Sequence, residues 1–269
     1  MIKHDFDNGT IYNGNCLDLM ATLPDGSVDM ILCDLPYGTT QNEFDKEIIP
    51  FEPLWEQYWR ITKPNAAIVL TSAQPFTSAL VQSQLKYFKY EWIWHKSKVT
   101  GFLNAKKQPL RSHESVLVFY KSQPTYNPQG VRHIQKVCGV QKSKATGKST
   151  SNYGQLSGQP GDTYIQTQTG YPTSVIDIGS ETSAVHPTQK PVELFEYLIK
   201  TYTNKGDTVL DNTSGSGTTA VASENTGRKW ICMEMDEKYY TPSVQRIQKT
   251  IDQNKITIHN NGLFDFGDD

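Results

Sequence analysis

Apolar residues in this chain gather into short, nearly continuous runs: Val28–Cys33, Ala66–Leu70, Val116–Tyr120, Thr208–Leu210 and Trp230–Met233. A run without polar alternation fits a strand buried on both faces, as in a parallel sheet. Helical periodicity fills several of the intervals. Phe51–Arg60 places Pro53 in a first turn and sets Leu54, Trp55, Tyr58 and Trp59 on one face. Pro191–Tyr202 opens with proline and turns Leu194, Phe195, Leu198 and Ile199 inward, and a third helix runs from about Asp236 into Lys249. Strands alternating with helices predict an α/β layered domain that binds ligands at the carboxyl ends of its strands.

Residues 127–180 break this pattern. They are rich in Gly, Gln, Ser and Thr, with scattered Tyr and few aliphatics, and predict a loop-rich insertion that contacts substrate. The chain has no apolar run of the length a membrane helix needs, and its opening residues are too polar for a signal peptide. Cys16, Cys33, Cys138 and Cys232 stand far apart without metal-site spacing, so they read as reduced thiols and no metal is expected. A net charge of −2 argues against a wholly polyanion-binding surface, yet the sum hides a basic middle. Lys86, Lys89, Lys96, Lys98, Lys106, Lys107 and Arg111 face a single acid, Glu91. Beyond them Lys121, Arg132, Lys136, Lys142, Lys144 and Lys148 lie in an acid-free run to Gly161. Such a stripe suits a phosphate backbone, although a solvated lysine surface has the same composition.

Two constellations carry chemistry. In the first, Thr208–Asp211 leads into Asn212-Thr-Ser-Gly-Ser-Gly217 and then a helix start at Thr218. Gly215 and Gly217 permit a tight turn with close backbone approach. A second strand ends in Glu234, just over twenty residues beyond Asp211, where an acid accepts hydrogen bonds from both hydroxyls of a ribose. No Gly-Lys-Ser/Thr follows the loop and Ala220 stands where a third glycine would be, so neither phosphate fingerprint fits. Asp211 would repel a pyrophosphate and suit a cationic group such as an ammonium. In the second constellation, the strand Val28–Cys33 delivers Asp34, Leu35, Pro36 and Tyr37 to the same edge: an acid, a rigid turn and an aromatic ring.

Asp34-Leu-Pro-Tyr37 together with Asp211-Asn-Thr-Ser-Gly-Ser-Gly217 resembles the amino-methylating DNA methyltransferases, which use S-adenosylmethionine to modify adenine N6 or cytosine N4. His186-Pro-Thr-Gln-Lys-Pro191 and Asn15-Cys-Leu-Asp18 match that family too, and the catalytic motif precedes the cofactor motif, as in its beta arrangement. The family usually has Pro at the positions of Leu35 and Asn212. The likeness covers nearly all of the chain except about 127–180.

The resemblance implies a Rossmann-like S-adenosylmethionine-dependent methyltransferase fold, α/β with a mixed, mostly parallel sheet and an inserted target recognition region. Its divisions would be a catalytic half over 1–126, the recognition insertion over 127–180 and a cofactor-binding half over 181–269. By the same resemblance Asp34, Leu35, Pro36 and Tyr37 are catalytic. Asp211, Ser214, Gly215 and Gly217 would line the methionine portion of the cofactor, with Asn212 and Thr218 in the same loop. Glu234 would hold the ribose, Asp18 the adenine, and Thr188 and Lys190 would lie near the carboxylate. Lys96, Lys98, Lys106, Lys107, Arg111, Arg132, Lys136, Lys142, Lys144 and Lys148 become phosphate contacts on double-stranded DNA. S-adenosyl-L-homocysteine would be the by-product. Members acting on cytosine commonly begin the catalytic motif with Ser, so Asp34 points to adenine. Cytosine N4, or an inactive DNA-binding regulator of the same fold, remain the alternatives. A cytoplasmic, DNA-associated protein of a prokaryote or phage is implied, and a homodimer or a cognate restriction endonuclease is left open.

Overall fold

A computed structural model describes residues 2–38, 48–139, 163–180 and 189–262. It divides into two compact units, one of Met1–Asn127 with Ser174–Asp269, the other of Pro128–Thr173.

The larger unit is built on one nine-stranded sheet. In chain order its elements are β1 (Ile2–Asp5), β2 (Gly9–Asn13), α1 (Cys16–Met20), β3 (Val28–Asp34), α2 (Phe51–Ile61), β4 (Thr62–Ser72), α3 (Phe76–Ser83), β5 (Phe88–Thr100) and β6 (Arg111–Phe119). After the smaller unit, which holds β7 (Arg132–Gly139) and β8 (Thr163–Thr169), come β9 (Val175–Asp177), α4 (Val192–Tyr202), β10 (Thr208–Asp211), α5 (Thr218–Thr226), β11 (Lys229–Glu234) and α6 (Glu237–Gly262). The strands lie in the order β1-β2-β11-β10-β3-β4-β6-β5-β9. The β2–β11, β11–β10, β10–β3, β3–β4 and β5–β9 pairs are parallel, and β1–β2, β4–β6 and β6–β5 are antiparallel. This is the mixed, mostly parallel α/β sheet anticipated from the sequence.

The apolar runs form strands because both faces of the sheet are covered. Ile31 and Cys33 of β3, Ile68 and Leu70 of β4, and Leu117 and Phe119 of β6 pack with Leu54, Trp55, Tyr58 and Ile61 of α2. The alternate residues Met30, Leu32, Ala67, Val69, Val116 and Val118 pack with Leu194, Phe195, Leu198 and Ile199 of α4 on the other side. A third cluster joins Ile11, Trp230 and Cys232 to Ile247 and Ile251 of α6. There Gly9 lies against the Trp230 ring so closely that an added Cβ would stand 2.3 Å from it, which requires glycine.

The strand predicted at Val116–Tyr120 runs against its neighbours, not with them. β6 starts at Arg111 and slots, antiparallel, between β4 and β5. An unbroken apolar run reports burial on both faces and says nothing about direction. Within 127–180, the described residues 132–139 and 163–169 are strands, where the composition predicts loop. β7 and β8 form an antiparallel hairpin in the smaller unit. Its last part returns to the large sheet, where β9 pairs parallel with β5 and buries Ile176.

Candidate active site

The two motif strands, β3 and β10, are neighbours. From β10 the chain crosses through α5 to β11 on one side, while from β3 it crosses through α2 to β4 on the other. The connections diverge, so a crevice opens between the carboxyl ends of β3 and β10, the usual ligand position in such sheets. Asp34 ends β3 and Asp211 ends β10. The two turns are tied together: the Thr213 hydroxyl donates to the Asp34 carbonyl at 3.1 Å. Asn212 Oδ1 accepts from the Tyr58 hydroxyl at 2.6 Å and from the Cys33 thiol at 2.9 Å. A side-chain tether thus stands where the family's proline would stiffen the loop.

Asp34 is surrounded by donors. Its Oδ1 accepts from the Tyr37 hydroxyl at 2.6 Å and from Thr71 of β4, and its Oδ2 accepts from Lys190 Nζ at 2.6 Å. Lys190 also lies 3.3 Å from Glu114 Oε2, and Glu114 Oε1 accepts from Lys96 Nζ at 3.0 Å. Two carboxylates and two ammonium groups therefore form one mostly buried, charge-balanced row. Burial alone would lower the Lys190 pKa, but the Asp34 and Glu114 charges outweigh it and hold it above its ordinary value. Burial pushes Glu114 up, yet Lys190 and Lys96 bring its carboxyl below the usual range. The Tyr37 phenol is driven well up by burial, reinforced by Asp34 and Glu114. The Tyr37 ring stacks on Phe76 with centroids 5.2 Å apart, and Lys190 Nζ lies 5.7 Å from the Tyr37 centroid. Leu35 is a buried core side chain, which leaves its backbone for any chemistry.

Across the crevice, Glu234 ends β11. Its Oε2 accepts the Gly215 N–H at 2.8 Å and its Oε1 the Asp236 N–H at 2.9 Å. Burial raises its pKa to about 7 against the pull of those two amides. Asp211 is 3% exposed; its Oδ1 accepts the Thr213 N–H at 3.0 Å and its Oδ2 the Thr219 hydroxyl. Burial raises that carboxyl to about 6. Gly215 and Gly217 have φ of 52° and 75°, in the left-handed region. Ser214 Oγ and Asn212 Nδ2 are buried beneath the loop, Ser214 beside the Cys232 thiol and Asn212 beside the Cys16 thiol. Beside this loop, Asn13 of β2 pairs with Glu234, and α1 starts three residues later with Asn15 Oδ1 accepting the Leu17 N–H at 2.9 Å. Asn15 is the cap of this helix, and Asp18 is exposed in its first turn.

Residues 28–245 match the N6/N4 methyltransferase family model, described as DNA methylase. The chain belongs to this family. Among its relatives, the type II methyltransferase M.BglII of Bacillus subtilis is 26% identical over 262 residues, spanning 91% of this chain and 70% of the relative. The type II methyltransferase M2.MboI of Moraxella bovis is 26% identical over 267 residues, spanning 91% and 89%. The fold is shared with PvuII DNA methyltransferase, described as cytosine-N4-specific, at a TM-score of 0.64 and 16% identity over 92% of each chain. It is shared also with M1.HpyAVI in complex with SAM, at a TM-score of 0.58 and 22% identity over 88% of this chain and 98% of that one.

In this DNA methylase the expected site residues make the following contacts within the chain. Lys190, expected at the cofactor carboxylate, is bound to Asp34 and Glu114, because a buried ammonium needs paired carboxylates close by. Lys96, expected on a phosphate, has a side chain 9% exposed and neutralised by Glu114. Gly217 meets α6: an added Cβ would lie 3.2 Å from Ile247. Thr218 Oγ1 accepts from Arg246 of α6 at 3.1 Å, so it braces the loop from behind. Asp211, expected to receive an ammonium, accepts from Thr213 on one oxygen and from Thr219 on the other, with capacity left on each. Lys98, Lys106, Lys107, Arg111, Arg132 and Lys136 are exposed. Thr188, Lys142, Lys144 and Lys148 lie outside the described residues. Sequence reasoning missed Thr71, Glu114 and the pairing of Lys96. Only the period-two spacing of Tyr90, Trp92 and Trp94, which marks β5, hinted that the Lys96 region was strand.

Proposed function

We propose that this DNA methylase transfers a methyl group from S-adenosylmethionine to the N6 amine of an adenine flipped out of duplex DNA. The observation that carries this reading is the placement of a carboxylate, Asp34, and an aromatic ring, Tyr37, on one lip of the β3/β10 crevice, opposite the Gly215 loop and Glu234. In this reading the cofactor lies against the opposite lip, with the glycine loop at Gly215 on its methionine end, the Glu234 carboxylate on its ribose hydroxyls and Asp18 on its adenine. Bound there, the cofactor supplies an electrophilic methyl on a sulfonium.

The chain's own residues prepare the nucleophile. An exocyclic amine is weakly nucleophilic because its lone pair is delocalised into the ring, and in a duplex it is also paired and stacked. Tyr37 offers a stacking face to the extruded base. The Asp34 carboxylate and the Leu35 carbonyl accept the two N–H bonds, which orients the nitrogen and favours its pyramidal form. Asp34 then balances the positive charge that develops on nitrogen. The Lys190–Asp34 contact opens as the base arrives, and Lys190 keeps a partner in Glu114, 3.3 Å away. A carboxylate at the first motif position is both acceptor and counter-charge, and the resemblance, in which members acting on cytosine commonly have Ser there, is what favours adenine. Residues 128–173, with Arg132 and Lys136 exposed on β7, read the sequence.

Modification-aware sequencing of DNA from cells expressing the chain tests this. N6-methyladenine at one recurring sequence is expected. N4-methylcytosine would reassign the base, and unmodified DNA would overturn the proposal.

A further inference from the structure

β5 and β6 form a hairpin that outruns the sheet. Ser72, the last residue of β4, pairs with Ser115, and four more residues of β6 extend to Arg111, which pairs with Thr100. At about 3.4 Å per residue this arm projects roughly 14 Å past the edge where β4 and β3 end, the edge that carries Asp34. Its turn, Phe102–Asn104, exposes two adjacent apolar side chains, Phe102 at 67% and Leu103 at 102%. Isolated exposed apolar residues are ordinary, but a pair at the end of a projecting arm is not. Its charge setting is one-sided. From Trp92 to His113 the sequence holds no Asp or Glu, and Lys98, Lys106, Lys107 and Arg111 are exposed. The carboxylates at the base of the arm are already engaged, Glu114 by Lys96 and Lys190, and Asp177 by His95 at 2.7 Å. The base is also fixed in place: the Ser180 N–H donates to Ser97 Oγ at 2.9 Å.

We propose that Phe102 and Leu103 are a wedge that enters the DNA duplex and occupies the space left by the extruded target base, while Lys98, Lys106, Lys107 and Arg111 hold the flanking phosphates. The proposal rests on the base-flipping methylation reading above. A cationic collar around an apolar tip matches a polyanion with an apolar stacked interior, and proteins that unstack DNA insert such side chains. The arm is longer than the major groove, about 8.5 Å, is deep.

The test uses the full chain and two duplexes that carry the sequence found modified in cells. One is fully paired; the other has an abasic nucleotide opposite the target base, so no pair has to be broken. The double variant Phe102→Ala/Leu103→Ala should lose about tenfold or more of kcat/KM on the paired duplex and stay within about twofold of the unaltered protein on the abasic one. Equal loss on both duplexes, the signature of a general contact or a folding defect, would overturn the wedge, as would no loss on either. If the unaltered protein methylates neither duplex, the base-flipping reading itself fails and the wedge with it.

Discussion

Replacing Glu234 by Gln keeps the size of the side chain and removes its charge. In the structure each carboxylate oxygen accepts one backbone N–H, from Gly215 at 2.8 Å and from Asp236 at 2.9 Å, and each has capacity for a further donor such as a ribose hydroxyl. Losing charge-assisted acceptance of those hydroxyls costs about 1.5–3 kcal/mol, so the S-adenosylmethionine Kd should rise roughly 10- to 150-fold. The native side chain should also make affinity depend on pH. Burial lifts it from 4.5 to about 7, which corresponds to a penalty of about 3 kcal/mol on the buried anion. Only the anion accepts both hydroxyls, so affinity is full above about pH 7 and falls about tenfold one unit below it. In the ligand-free protein the sign is reversed. Between about 4.5 and 7 the native state binds more protons than the unfolded chain, so folding stability declines as pH rises through that window. Calorimetric titration in buffers of different ionisation enthalpy measures affinity and proton release together. The Gln variant should show little pH dependence until Asp211, at about 6, begins to titrate. A flat profile in the unaltered protein, with a Gln-variant Kd within about twofold, would refute the ribose assignment.

Asp34→Ala should leave S-adenosylmethionine binding within about twofold by calorimetry and reduce tritiated-methyl transfer to DNA at least about a hundredfold. Lys190→Met leaves the Asp34 and Glu114 carboxylates without their shared ammonium, so urea unfolding should report about 3–5 kcal/mol lost, partly restored by adding Glu114→Gln. Exchanging residues 128–173 for the corresponding segment of a relative should change which sequence is methylated while the modified base stays the same, read by modification-aware sequencing.

The sequence alone determined the local elements and the chemistry at their ends. The runs at Met30–Cys33 and Trp230–Met233 are strands because successive residues are apolar where helices cover both faces of a sheet. Pro191 and the spacing of Leu194, Phe195, Leu198 and Ile199 define α4 from within its own span. The motif residues Asp34 and Glu234 stand at strand ends because each lies directly after such a run, so their position is a local property. What joins distant stretches was decided only by the tertiary structure. Nothing near Lys190 in sequence indicates Asp34 or Glu114, since an ion pair between residues 156 positions apart has no local signal. Lys96 and Lys98 look alike in a row of lysines and fall on the same strand face, yet Lys96 lies next to Glu114 across the hairpin whereas Lys98 stands farther out along the arm and is exposed. The direction of β6 was equally hidden, because burial on two faces dictates composition whereas direction depends on the neighbours a strand meets. That α6, far along the chain, fills the space where a side chain at Gly217 would stand has no local signal either.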